Sequence, residues 1–261
     1  MTPSESWAAA LGEWAIPDEI LQQAPADPWI HPPRFFRVDP ATDPTDTPSH
    51  RTARRALGGG GTVLDVGVGG GRSCLPLVPR ATALVGVDEQ QAMLDQFAEA
   101  CAAAGVPSQG FQGRWPDVAD AVPMADVAVS HHVVYNVAAI EPFLVALTAH
   151  ARRLVVVELP GRHPTSWFNP LWQRFWVLAR PSEPSAELFT EVVRSLGWLP
   201  DVAWVERAPR STSEGRSPEF VAFVRQRLCL PASRDAEVAA ALADLPDTAS
   251  HRVATVSWAP R

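Results

Sequence analysis

Hydrophobic and polar positions alternate along the chain in two rhythms. Short apolar runs recur at Val63–Val66, Thr82–Val87, Ala125–Ser130 and Leu154–Leu159. Between them lie longer segments whose apolar residues repeat near helical spacing, as Met93, Leu94, Phe97 and Cys101 do within Gln90–Ala104. Ile140–Ala151 and Ala186–Leu196 read as further helices, with Gly105 and Gly197 as stops. A short third strand is expected at Gln109–Gly113, and later strands at Val202–Val205 and Val253–Trp258. Buried-type strands alternating with amphipathic helices predict an α/β fold, a doubly wound, mostly parallel sheet with helices on both faces.

Other segments break the rhythm. Trp7, Leu11 and Trp14 mark an N-terminal amphipathic helix, and Pro17 opens a second short one. Pro28–Pro33 is too rich in proline for a helix and is expected to be extended. Asp39–Pro48 reads as an exposed linker, and Ser49–Leu57 as a helix closed by the glycines at 58–61. Residues 161–185 interrupt the alternation with an aromatic helix that starts at Asn169-Pro170 and carries Trp172, Phe175 and Trp176. Ala208–Pro218 is a polar loop, and Glu219–Leu228 and Arg234–Leu245 form a second helical insertion. The organisation expected is an N-terminal helical cap and linker over 1–48. The main domain follows over 49–261, with a lid at about 161–185 and an insertion at about 218–245.

The informative stretch is T-V-L-D-V-G-V-G-G-G-R-S-C-L-P-L, residues 62–77. A strand enters a glycine turn, and a helix is expected from Arg72 onward. Glycine lets the backbone turn sharply and approach a ligand with no Cβ in the way. A dinucleotide fingerprint, G-x-G-x-x-G, would put Arg72 where its third glycine belongs, so that match fails. The spacing that fits is D-x-G-x-G-x-G, with Asp65, Gly67, Gly69 and Gly71. It resembles the first motif of the class I S-adenosylmethionine-dependent methyltransferases. That resemblance implies a Rossmann-like, seven-stranded sheet with an antiparallel last strand at its edge. It implies that Asp65 helps to hold the amino-acid end of the cofactor, partly through water, with the glycines beneath ribose and methionine. Asp88, closing the second strand, takes the position of the acid that accepts both ribose hydroxyls. Arg114 and Trp115 stand where many members recognise adenine. Trp115 either stacks there or packs in the core, and the Arg114 backbone could supply hydrogen bonds. Ser130 or His131 would lie beneath the cofactor, beside the methyl group and the acceptor. The likeness covers roughly 62–160 and fails in the two insertions.

Composition narrows the chemistry. No lysine occurs among the 261 residues, which excludes Schiff-base and P-loop lysine mechanisms. The formal net charge of −7 disfavours nucleic acid as a partner, despite Arg51, Arg54 and Arg55. Cys74, Cys101 and Cys229 have no metal-ligand spacing and suit buried thiols, so no metal is expected. With no signal-like start and no membrane-length apolar run, the expected location is the cytoplasm.

A hydroxyl acceptor needs a base. His131, His132, Tyr135, Glu158 and His163 stand near predicted carboxyl ends of strands, with His131 the first choice. Trp167, Trp172 and Trp176 are expected to line an apolar or aromatic acceptor pocket. The resemblance thus implies methyl transfer from S-adenosylmethionine to a small molecule. The alternatives are a non-catalytic binder of the same cofactor and an NAD-dependent oxidoreductase.

Overall fold

The computed structural model describes residues 1–29, 38, 45–207, 217–245 and 251–260. Most of the expected Pro28–Pro33 arm, the Asp39–Pro48 linker and the Ala208–Pro218 loop lie outside these residues. Seven strands build one sheet: β1 (Gly61–Val66), β2 (Ala81–Asp88), β3 (Ser108–Gln112), β4 (Ala125–His131), β5 (Ala151–Pro160), β6 (Asp201–Arg207) and β7 (His251–Trp258). Their order is β3-β2-β1-β4-β5-β7-β6. Strands β1 to β5 pair in parallel, and β7 is antiparallel to both β5 and β6. The order reverses between β1 and β4, and folds of this kind bind ligands at the carboxyl ends of such strands.

The antiparallel last strand is therefore not at the edge. It is inserted between β5 and β6, and β6 is the outer strand. The burial of each strand gives the physical reason. From Val253 to Trp258 every residue of β7 is buried, as an interior strand requires. β6 exposes Asp201, Ala203 and Glu206, and charges along an open edge discourage pairing with another chain.

Helices α1 (Pro3–Gly12), α2 (Asp18–Leu21), α3 (Pro48–Leu57), α4 (Gln91–Ala103), α5 (Ile140–Ala149), α6 (Asn169–Trp176), α7 (Ala186–Ser195), α8 (Pro218–Arg227) and α9 (Asp235–Ala243) surround the sheet. On one face, Ala53 and Leu57 of α3 and Leu94, Phe97 and Cys101 of α4 pack on Val63, Leu84 and Val129. On the other, Trp7 of α1, Phe143 and Leu147 of α5 and Phe189 of α7 pack on Leu64, Val157 and Val256. Burying a side chain of this size contributes about 1.5–3 kcal/mol. All three cysteines are free and buried.

No α-helix follows the glycine turn. After Gly71 the chain makes a single turn and a short 3-10 segment, Leu75–Leu77. Pro76 and Pro79 are the reason: each lacks an N–H and restricts the residue before it. The start of β2 at Ala81 leaves no length for recovery. α3 covers the segment instead, and the Arg54 guanidinium donates to the Pro76 carbonyl (3.2 and 2.8 Å).

A third apolar cluster joins pieces distant in sequence. Ile16 and Ile20 meet Phe168, Leu171 and Trp172 of the first insertion, and Val221, Val224 and Val238 of the second. The N-terminal arm thus has two parts. Trp7 lies in the domain core, with its indole donating to the Val137 carbonyl at 2.9 Å. From Trp14 onward the arm reaches the inserted helices.

Candidate active site

Gly67, Gly69 and Gly71 all have positive φ (76°, 50° and 93°), a region costly for side chains with a Cβ. At Gly67 there is a second constraint. A Cβ there would meet Val133 Cγ2 at 2.3 Å, so the turn lies directly against the loop that leaves β4. Beside the turn, Asp65 is fully buried and accepts the Ser73 hydroxyl on Oδ2. Its Oδ1 is buried without a hydrogen-bond partner. Burial pushes its carboxyl up to about 6, against the opposing Ser73 bond. Asp88 closes β2 with both oxygens anchored: Gly69 N–H donates to Oδ2 and Gln90 N–H to Oδ1, each at 3.0 Å. The strand-end acid and the glycine turn are therefore one hydrogen-bonded unit.

Of the two residues expected near adenine, Trp115 takes the core position that was its alternative. Trp115 does not present its ring as an adenine platform: it belongs to the core, its indole N–H donating to the Phe143 carbonyl at 3.1 Å. An indole at a sheet end packs where its N–H finds a buried acceptor. Arg114 is exposed, and its carbonyl accepts Val118 N–H at 3.2 Å. Ser130 is buried and donates to the Val66 carbonyl at 2.9 Å, which ties the end of β4 to the end of β1.

At the ends of β4 and β5 a polar cluster has formed. His131 and Glu158 are partners in register. The buried Glu158 carboxylate accepts Ser49 Oγ at 2.6 Å, Arg207 Nη2 at 2.6 Å and bonds His132 Nε2 at 3.1 Å. Burial works to raise its pKa, but the His132 hydrogen bond and the Arg207 charge hold it well below the usual carboxylate range. The Nε2 of His131 is buried and unpartnered, as is that of His50, and the two rings lie 5.7 Å apart. Burial pushes His131 down to about 3 despite the attraction of Glu158, so the ring is neutral at ordinary pH. His50 is lowered too, by burial first, and the Arg72 backbone acts on it from the glycine turn. The cluster thus borders the cofactor-type turn.

The other candidates have structural partners. The Tyr135 hydroxyl donates to the Pro160 carbonyl at 2.7 Å, and its ring stacks on Trp7. Burial drives this phenol further from ionisation, so it makes a poor base. His163 stacks on Trp14 at 3.9 Å, away from Glu158's partners. Of the three lid tryptophans, Trp172 faces a cavity, whereas Trp167 stacks on Phe220 and the Trp176 indole donates to the Leu228 carbonyl. Ser49, His50 and Arg207 were not expected in the site. Ser49 and His50 read locally as a helix start, and Arg207 as a strand end, with no sequence signal linking them to Glu158.

The strand order and the acid-flanked glycine turn make this the Rossmann-like fold of the class I methyltransferase type. A family model described as "Methyltransferase domain" matches residues 63–155. Solved structures agree in fold. A methyltransferase from Thiobacillus denitrificans, crystallised with S-adenosylhomocysteine, aligns with TM-score 0.53 and 20% identity over 89% of this chain and 100% of its own. YcgJ from Bacillus subtilis aligns with TM-score 0.54 and 13% identity over 82% of this chain and 98% of its own. The [4+2]-cyclase SpnF aligns with TM-score 0.50 and 17% identity over 81% and 80%. No curated protein sequence matches. Residues 63–155 thus match a methyltransferase domain, and the chain has the Rossmann-like fold of the class I S-adenosylmethionine-dependent methyltransferases. Among the described residues, no helix is long and apolar enough to cross a membrane, and no group of side chains could hold a metal ion.

Proposed function

We propose that this protein transfers the methyl group of S-adenosylmethionine to a small-molecule acceptor, apolar or aromatic in its body, giving S-adenosylhomocysteine. The observation that carries the proposal is the unit formed by Asp65, the glycine turn and Asp88. It leaves Asp65 Oδ1 buried and unpartnered beside a turn anchored on the second acid. An orphaned buried carboxylate oxygen fits a partner that arrives with the ligand or its water.

Asp88 offers its remaining lone pairs to ribose hydroxyls, and Asp65 serves the amino-acid end. Bound cofactor supplies a methyl group on a sulfonium, already activated for in-line displacement. The chain's own task is to align the acceptor, exclude water and remove the acceptor's proton. His131 suits the last role. Its Nε2 is buried without a partner and Glu158 lies beside it in register, and the bound cofactor and acceptor must raise its basicity from the low value that burial imposes. Glu158 acts through His131 and His132 and is a positioning residue. A localisation in the cytoplasm is consistent with this chemistry and belongs to the same proposal.

Methyl transfer to hydroxylated aromatic acceptors, followed with radiolabelled cofactor, tests the assignment. His131→Asn is expected to lower kcat at least about 100-fold while S-adenosylhomocysteine still binds. Unaltered turnover in the His131→Ala, His132→Ala double variant would show that neither ring is the base.

A further inference from the structure

Thr47, Ser49, His50 and Glu158 are buried polar side chains joined in one hydrogen-bonded line. Ser49 Oγ donates to Glu158 Oε2 at 2.6 Å, Thr47 Oγ1 lies 2.7 Å from Ser49 Oγ, and His50 Nδ1 lies 3.0 Å from Thr47 Oγ1. The carboxylate of Glu158 can only accept, so it fixes the direction of the line. The Ser49 proton points at Glu158. The single proton between Ser49 and Thr47 is then the threonine's. Thr47 Oγ1 has none left to give to the ring, so Nδ1 carries the proton and donates. The Thr47 N–H also faces Nδ1, but at 3.4 Å it is the longest contact of the group and does not set the direction. In this tautomer Nε2 of His50 is a bare lone pair, buried and without a hydrogen-bond partner among the described residues.

A role in starting α3 does not account for that nitrogen. Thr47 and the Nδ1 side of the ring already make the helix cap, and burying an unpaired acceptor is unfavourable unless a partner arrives. Two neighbours point to the partner. The His50 ring lies 5.7 Å from that of His131, whose Nε2 is orphaned as well. The Arg72 backbone, directly after Gly71, acts on the His50 ring. His50 thus borders both the end of β4 and the glycine turn. We propose that His50 is a second catalytic residue, whose Nε2 takes a hydrogen bond from a hydroxyl of the acceptor beside His131, with Thr47 and Ser49 linking it to Glu158. The methylated atom is then a hydroxyl oxygen. As the O–CH₃ bond forms, the S–CH₃ bond breaks with its electron pair left on sulfur, and the O–H proton is taken up between the two imidazoles. The charge is drawn through Nδ1–H, Thr47 and Ser49 toward the carboxylate, the support that a base receives from a third group. The methyl donor rests on the methyltransferase reading; the line and its direction do not.

The test is long-range proton–nitrogen NMR on histidine-labelled protein, with His50 assigned through its backbone. At pH 8 a protonated Nδ1 and a bare Nε2 are expected, and a protonated Nε2 overturns the proposal. Ser49→Ala releases the Thr47 proton to Nδ1, so the tautomer is expected to shift toward Nε2–H. An unchanged tautomer in that variant overturns the line. Phenol, with anisole as the control that lacks the hydroxyl proton, is titrated with and without S-adenosylhomocysteine. Phenol is expected to move the His50 Nε2 resonance and anisole to leave it in place. No response to phenol in either state, or an equal response to anisole, overturns the catalytic placement. His50→Asn keeps a polar atom for Thr47 and lacks Nε2, so it is expected to bind S-adenosylhomocysteine as the wild type does. Loss of that binding in the folded variant assigns the nitrogen to the cofactor and overturns the proposal. Failure of S-adenosylhomocysteine to bind the wild type, with the phenol response intact, rejects methyl transfer alone. Cofactor binding without the tautomer or the phenol response rejects the role of His50 alone.

Discussion

Gly67→Ala is expected to weaken S-adenosylhomocysteine binding by about 100-fold or more, and to lower the melting temperature as well. Two costs combine. A residue with a Cβ at φ 76° is strained by about 1–2 kcal/mol. The new Cβ also meets Val133 Cγ2 at 2.3 Å, so either the turn or the loop after β4 must move. Together these reach about 3 kcal/mol, which corresponds to roughly two decades of affinity if the turn yields. Removing the clash with Val133→Ala in the same chain is expected to recover stability in part, while the strain at position 67 persists. Calorimetric titration and thermal unfolding of the single and double variants measure both. Wild-type affinity in Gly67→Ala would show that the turn does not touch the cofactor.

Glu158→Gln is the second large effect. The carboxylate is buried and serves Ser49, His132 and Arg207 at once. An amide of the same shape keeps the volume but leaves Arg207 without its counter-charge and places an N–H₂ among donors. Breaking a buried ion pair from one side costs about 3–5 kcal/mol. The lower end applies here, because the Arg207 side chain keeps 26% of its surface in solvent. The expected loss is about 3 kcal/mol by denaturant unfolding, together with lower kcat through the neighbouring His131. Unchanged stability would mean that the cluster is not the electrostatic unit described here.

The sequence revealed the parts of the site made by neighbours in the chain. Asp65, the glycines and Asp88 could be recognised because a strand end, a turn and the next strand end are separated by fixed spacings. The parallel order of β1 to β5 followed from the same alternation. Long-range partners left no such trace. Nothing at Ser49 or Arg207 points to Glu158, since the contact depends on how α3 and β6 close over β5. Trp115 stayed open between two readings for a related reason. Its position matched an adenine site, but the buried Phe143 carbonyl, supplied by α5, decided its orientation. The missing helix after Gly71 had a local signal in Pro76 and Pro79, which outweighs the apolar spacing around them. The place of β7 had one as well, in the unbroken small and apolar face of Val253–Trp258 beside the charged β6.

The most direct test of the cofactor assignment is titration of S-adenosylhomocysteine into the wild-type protein and Asp65→Asn between pH 8 and pH 5. In the ligand-free protein the Asp65 carboxyl is pushed up to about 6 by burial. The cofactor's amino-acid end favours the ionised form, so binding must hold this group deprotonated. Affinity should therefore be level above pH 6 and fall towards tenfold per unit below it. In Asp65→Asn it should be weaker throughout and lack that step. Absence of binding at every pH, or a wild-type profile as flat as that of the variant, would contradict the assignment.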